Sequence, residues 1–132
     1  MAQEKIVVDT DVIIDAFEQG RTDLILWLAA RDAYISYVTL YEYLWGYARI
    51  GRDVEEEKRA LEKVVAVVYP TQEILLEALK IDTGLAARGE RVPQADVIIA
   101  ATAITLDAPL ATRNRRHFER MERYGLRLAE PP

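Results

Sequence analysis

A chain of 132 residues with 51% hydrophobic content is the size of one ordinary globular domain with a real core, and a second domain does not fit. With no cysteine and a single histidine, His117, the sequence excludes disulfides, thiolate metal sites and histidine-rich metal sites, so any metal must be a hard ion held by oxygens. The formal net charge of -5 excludes a protein that merely coats nucleic acid by electrostatics, and no apolar run approaches the length of a membrane span.

The opening residues Met1 to Lys5 are polar and carry none of the basic, apolar and small-residue pattern of a signal peptide, so a cytoplasmic protein without a membrane partner is expected. Ile6 to Val8 are β-branched and break abruptly into Asp9-Thr10-Asp11, which reads as a short, buried, central parallel strand ending at Asp9. Val12, Ile13, Ala16 and Phe17 recur at helical spacing, so the chain turns from strand to helix around Thr10 or Asp11. Open α/β sheets place their ligands at such strand ends. Asp9 or Thr10 alone is as readily a helix cap.

After Gly20, Leu24, Ile25, Trp27 and Leu28 predict a second helix over 22–30, and Tyr34 to Ser36 a second strand. Val38 to Arg49 reads as a helix whose Thr39-x-x-Glu42 spacing matches a capping box, although the same turn lies at the ligand edge of the sheet. Gly46 costs that helix roughly 1 kcal/mol relative to alanine, which predicts a close neighbour at its backbone. Tyr41, Tyr43, Trp45 and Tyr47 around it are read as core and interface residues. A charged, solvent-facing helix over 53–63 follows, with Glu55 and Glu56 at favourable spacings to Arg59.

Val64 to Tyr69 is a continuous apolar run stopped by Pro70, the clearest strand in the sequence. A helix from Thr71 to near Gly89 is expected to turn Ile74, Leu75, Ala78, Leu79 and Leu85 inward. Pro93-Gln94-Ala95-Asp96 opens a helix that is apolar nearly all round and therefore buried. Leu110 to Thr112 is a short strand, Arg113 to Phe118 follows at the edge, and Leu126 to Leu128 is a final edge strand. From Arg113 to Arg127 six arginines face two glutamates, a local excess of four positive charges, read equally as a solvated face and as a phosphate-binding rim.

Alternating strands and helices imply a parallel sheet of four or five short strands with helices on both faces, so Asp9, Glu42, Asp96 and Asn114 all fall at turns along one edge. Each is singly explained as a cap. Together, several carboxylates repel unless a cation joins them, which points to a Mg²⁺ or Mn²⁺ site. Asp11 is a further carboxylate nearby, for which solvation or capping is the simpler role.

In these segments the chain resembles the PIN-domain ribonucleases, in particular the VapC-type toxins of prokaryotic toxin-antitoxin pairs. The likeness is carried by Val7-Val8-Asp9-Thr10 with Ile13 to Asp15, by Thr39-Leu40-Tyr41-Glu42 with Gly46, by Ala95-Asp96 with the run to Ala103, and by Leu110-Ala111-Thr112-Arg113-Asn114 with Phe118. It spans essentially the whole chain. It implies a single PIN-like α/β domain over 1–132 and a metal-dependent endoribonuclease whose acidic positions map to Asp9, Glu42 and Asp96. The fourth metal position, often aspartate in the family, maps to Asn114, where an amide brings no charge and should attract Mg²⁺ less strongly. Such a metal lowers the pKa of a water and neutralises charge building on a phosphodiester. Thr10 and Thr112 would bond metal waters or phosphate, and Arg113, Arg115 and Arg116 would hold flanking phosphates of the RNA substrate. The resemblance also implies a small antitoxin partner and, with the exposed aromatic surface around Trp45, a homodimer.

Two other readings are compatible with parts of the pattern. Asp9-Thr10-Asp11 after a buried strand matches the nucleophile and acid pair of haloacid-dehalogenase-like phosphatases, but no Gly-Thr follows and no late paired acidic motif is present. A catalytically silent binding protein of the same fold would explain Asn114, but not three retained carboxylates.

Overall fold

The structure, a computed structural model, describes residues 3–132. Five strands form one sheet in the order β3-β2-β1-β4-β5, with every neighbouring pair parallel. β1 (Lys5–Val8) is central and pairs with β2 (Asp32–Ser36) and β4 (Leu110–Ala111); β3 (Ala66–Val68) and β5 (Leu128–Ala129) are the edges. Parallel pairing requires long crossovers, and the helices between the strands supply them.

Side chains alternate across β1, so one strand feeds two cores. Ile6 and Val8, with Ala33 and Ile35 of β2, face α1 (Thr10–Ile13), α2 (Thr22–Ala29), α3 (Tyr37–Arg49) and α4 (Val54–Glu62) through Val12, Leu24, Leu40 and Leu61. Val7 and Leu110 face α5 (Gln72–Ala87), α6 (Gln94–Thr105) and α7 (Arg115–Phe118) through Ile81, Leu85, Ala100 and Phe118. Full burial of a side chain such as Phe118 stabilises the fold by about 2–3 kcal/mol. Three alanines of α6, Ala100, Ala101 and Ala103, have no exposed surface, and their small size lets this helix lie against the strands. As α6 precedes β4 and runs counter to it, its N-terminus reaches the edge where β1 and β4 end.

Several expectations change in the tertiary setting. The cap of α3 is Ser36, whose hydroxyl accepts from the Val38 N–H at 3.2 Å, so no capping box joins Thr39 to Glu42. Thr39 is instead buried one turn inside the helix. Only Ala66–Val68 of the apolar 64–69 run joins the sheet, and it does so at an edge. Val64 and Val65 still donate back to Leu61 as the end of α4, and Tyr69 is exposed. On α5 the inner face is Ile74, Ile81 and Leu85, while Leu75 and Leu79 stand more than half exposed. The final strand is Leu128–Ala129, two residues later than its apolar content suggests.

Nothing approaches within 4 Å of a Cβ built on Gly46, so its glycine answers to no close neighbour. The tight glycine is Gly84, on which a Cβ would run into the Tyr124 phenol of the 3₁₀ turn Glu119–Tyr124. No described helix is long and apolar enough to cross a membrane.

Candidate active site

Asp9 follows β1 directly, and its N–H still donates to the Ala111 carbonyl at 3.0 Å, as if the strand ran one residue further. Its carboxylate is 6% exposed and takes two hydrogen bonds: one from the Thr10 N–H to Oδ1 at 2.8 Å, the other from the Thr112 hydroxyl to Oδ2 at 2.8 Å. The cap and the site are therefore the same group. Burial pushes the Asp9 carboxyl up to about 7, with the Asp11 charge adding to it, the bonds from Thr112 and Thr10 opposing, and the Asp96 charge adding a smaller push. A buried acid pressed by two other acids, one arriving from α6 on the far side of the sheet, has no cationic side chain to answer it among its hydrogen-bond partners.

The remaining site residues converge on this edge by separate routes. The Thr10 hydroxyl makes close contacts with Oε1 of Glu42 at 2.7 Å and with the Thr39 hydroxyl at 3.1 Å, which joins α1 to α3. Glu42 itself is exposed. Asp96, in the first turn of α6, has Oδ2 2.8 Å from Nδ1 of His117, and that same nitrogen lies 2.9 Å from the Asn114 side-chain amide. Thr112 accepts from the Asn114 N–H at 2.9 Å while donating to Asp9, so one hydroxyl links the first site residue to the last. Asp11 Oδ2 accepts from the Arg113 N–H at 3.2 Å, and its Oδ1 is buried without a hydrogen-bond partner.

The donor set is all oxygen apart from His117, which suits a hard cation. The buried, strained Asp9 and the orphaned Asp11 oxygen are the features a cation would relieve. Among the described residues no three acidic or histidine groups stand close enough together to enclose an ion. Glu42 contacts Thr10 instead, and Asp96 contacts His117.

Of the arginines, Arg115 and Arg116 are exposed on α7, with Arg115 3.6 Å from Glu119. The Arg113 guanidinium is already engaged, with Nε donating to Asp15 at 3.0 Å and Nη2 to the Pro132 backbone oxygen at 2.6 Å. From the sequence, His117 served only to exclude a histidine-rich metal site, and its place beside Asp96 was missed. The available signal was its spacing: position 117 is one helical turn from Asn114 and so shares its face.

The family model for the PIN domain matches residues 6–124. The chain belongs to the PIN-domain family. It is 34% identical to Ribonuclease VapC1 of Methanocaldococcus jannaschii over 126 residues, 96% of this chain and 88% of that one. A VapC ribonuclease of Pyrococcus furiosus is 30% identical and covers 92% of this chain and 82% of its own. Among solved structures, VapBC-1 from nontypeable Haemophilus influenzae superimposes with a TM-score of 0.78 at 27% identity, covering 96% of this chain and 97% of its own. The PIN-domain assignment accounts for the parallel five-stranded sheet.

Proposed function

We propose that this PIN-domain protein is a Mg²⁺- or Mn²⁺-dependent endoribonuclease acting in the cytoplasm, the toxin of a VapBC-type pair held by a small antitoxin. The observation that carries the reading is Asp9, an acid buried at the end of the central strand and raised by burial, Asp11 and Asp96, in a chain a third identical to a named ribonuclease over nearly its whole length. In this reading Asp9, Glu42 and Asp96 hold the cation and Asn114 offers an amide oxygen. Glu42, now on Thr10, and Asp96, now on His117, would exchange those contacts for the cation. A divalent cation held there would lower the pKa of a water and offset charge on the scissile phosphate.

The chain's own residues do the rest. Thr112 and the Thr10 N–H fix both oxygens of Asp9, so its orientation is set before substrate arrives. Thr10 lies between Glu42 and Thr39, where its hydroxyl can meet a phosphate or a water. Arg115 and Arg116, exposed beside Asn114, meet flanking phosphates of a single strand and contribute position, not sequence choice. The phosphatase alternative gains nothing from the geometry, because Asp11 has one oxygen under the Arg113 amide and the other out of reach of solvent.

The test is cleavage of a fluorescent RNA by the purified chain. Mg²⁺-dependent cleavage that is abolished by chelator, and reduced at least about 10²-fold in Asp9→Asn and in Asp96→Asn, is expected. Activity that persists in chelator, or full activity in either variant, overturns the assignment.

A further inference from the structure

We propose that Arg113 is a positioning residue of the carboxylate centre and does not grip RNA. Two acids four residues apart, Asp11 in α1 and Asp15 in the π-helical turn Ile14–Glu18, both reach residue 113 on the other side of the site. Asp11 takes the Arg113 main-chain N–H at 3.2 Å. Asp15 takes its Nε at 3.0 Å, and Nη2 of the same guanidinium caps the Pro132 backbone oxygen at 2.6 Å, which Arg21 also approaches at 3.3 Å.

Main chain and side chain are thus held at once, with Nε and Nη2 of the guanidinium each already given an acceptor. What this clasp immobilises is the turn after β4. Thr112, one residue before, sets Oδ2 of Asp9; Asn114, one residue after, abuts the His117 nitrogen that bonds Asp96. A single tether therefore governs the separation of the β1 and α6 carboxylates, and outer partners of this kind typically change metal affinity or activity by about 10–100-fold.

The proposal rests on the metal-dependent nuclease reading, and the experiment separates the two. Arg113→Gln, Arg113→Lys, Asp15→Asn and the double variant Asp15→Asn/Arg113→Gln are compared with the parent in steady-state RNA cleavage and in Mg²⁺ titration by calorimetry. Amide hydrogen exchange at residues 112–114 is followed in chelator. Arg113→Gln and Asp15→Asn are each expected to lower kcat and weaken Mg²⁺ binding by about tenfold, with KM for RNA unchanged. The double variant should be no worse than the poorer single, because both remove one bond. Arg113→Lys, which keeps a charged partner for Asp15, should recover part of the loss, and the Asn114 amide should exchange faster in both single variants.

A raised KM with intact kcat in Arg113→Gln, without a matching effect of Asp15→Asn, overturns the proposal in favour of a phosphate contact. Unchanged Mg²⁺ affinity and unchanged exchange in Asp15→Asn overturn it outright, and this variant carries the test if Arg113→Gln does not fold. A parent that neither binds Mg²⁺ nor cleaves RNA overturns the nuclease reading alone, and the exchange measurement then decides the clasp.

Discussion

Asp9 is the most buried carboxylate of the proposed site. Its burial follows from its place directly after the central strand, between β2, which ends level with it at Ser36, and β4, whose Ala111 carbonyl accepts its N–H. Two hydroxyl or amide donors offset part of that cost, while Asp11 and Asp96 add to it. Since the folded acid is raised from 3.8 to about 7, the folded protein holds a proton there that the unfolded chain has released. The stability this contributes is fully present below about pH 4 and is lost as pH rises through about 7. In chelator, the melting temperature contribution of this group should therefore fall between about pH 4 and 7, and Asp9→Asn should remove that part of the pH dependence. Mg²⁺ at pH 7.5 should raise the melting temperature of the parent and not of the variant, as any ligand specific to the folded state does. Thermal scans across pH, with and without Mg²⁺, make the comparison; a parent whose stability rises between pH 4 and 7 while Asp9→Asn is flat contradicts the raised acid.

At the scale of elements, two helical glycines make opposite predictions. Gly46 lies on an exposed turn of α3 with open space where a Cβ would stand, so Gly46→Ala should stabilise by about 0.5–1 kcal/mol through helix propensity alone. Gly84, in the last turn of α5, faces the Tyr124 phenol, and Gly84→Ala must displace that ring from the 3₁₀ turn that follows α7. A cost of about 1–3 kcal/mol is expected, turning into a gain in a Tyr124→Leu background. Urea midpoints of the four variants measure both signs. The comparison matters beyond the glycines, because α5 and the 3₁₀ turn brace the segment whose first residues carry Asn114 and His117.

At the scale of the whole molecule, the surface is uneven. Tyr41 and Trp45 on α3, Tyr69 after β3, and Leu75, Leu76 and Leu79 on α5 are all more than half exposed. Tyr37, Leu40, Leu44 and Val54 join several of them to line an apolar groove between α3 and α4, and Tyr37 also borders a second hollow between α5 and α6. Apolar surface so concentrated is costly to leave in water. The proposed homodimer is tested by light scattering: the parent should be dimeric at tens of micromolar, and Leu75→Glu/Leu79→Glu should be monomeric with an unchanged melting transition of the monomer fold. A parent that is monomeric throughout leaves this face to a different partner and removes the homodimer.

The sequence by itself determined the class of the fold. β-branched runs too short for helices, alternating with 3.6-residue periodicity, lead to a parallel sheet with helices on both faces, and that topology sends Asp9, Glu42, Asp96 and Asn114 to one edge. What it could not determine was which donor each acid would meet, because such pairings depend on contacts between residues far apart in the chain. Thr39 looked like a cap from its local spacing, yet Ser36 begins the helix and Thr39 is buried against Thr10. Leu75 and Leu79 fit the inner face of an isolated helix, yet the rotation of α5 against α6 turns Ile81 inward in their place. His117 next to Asp96, and Arg113 between Asp15 and Pro132, are separated by 21, 98 and 19 residues along the chain. Local propensity carries no information at those distances; only the closing of the sheet brings the partners within hydrogen-bond range.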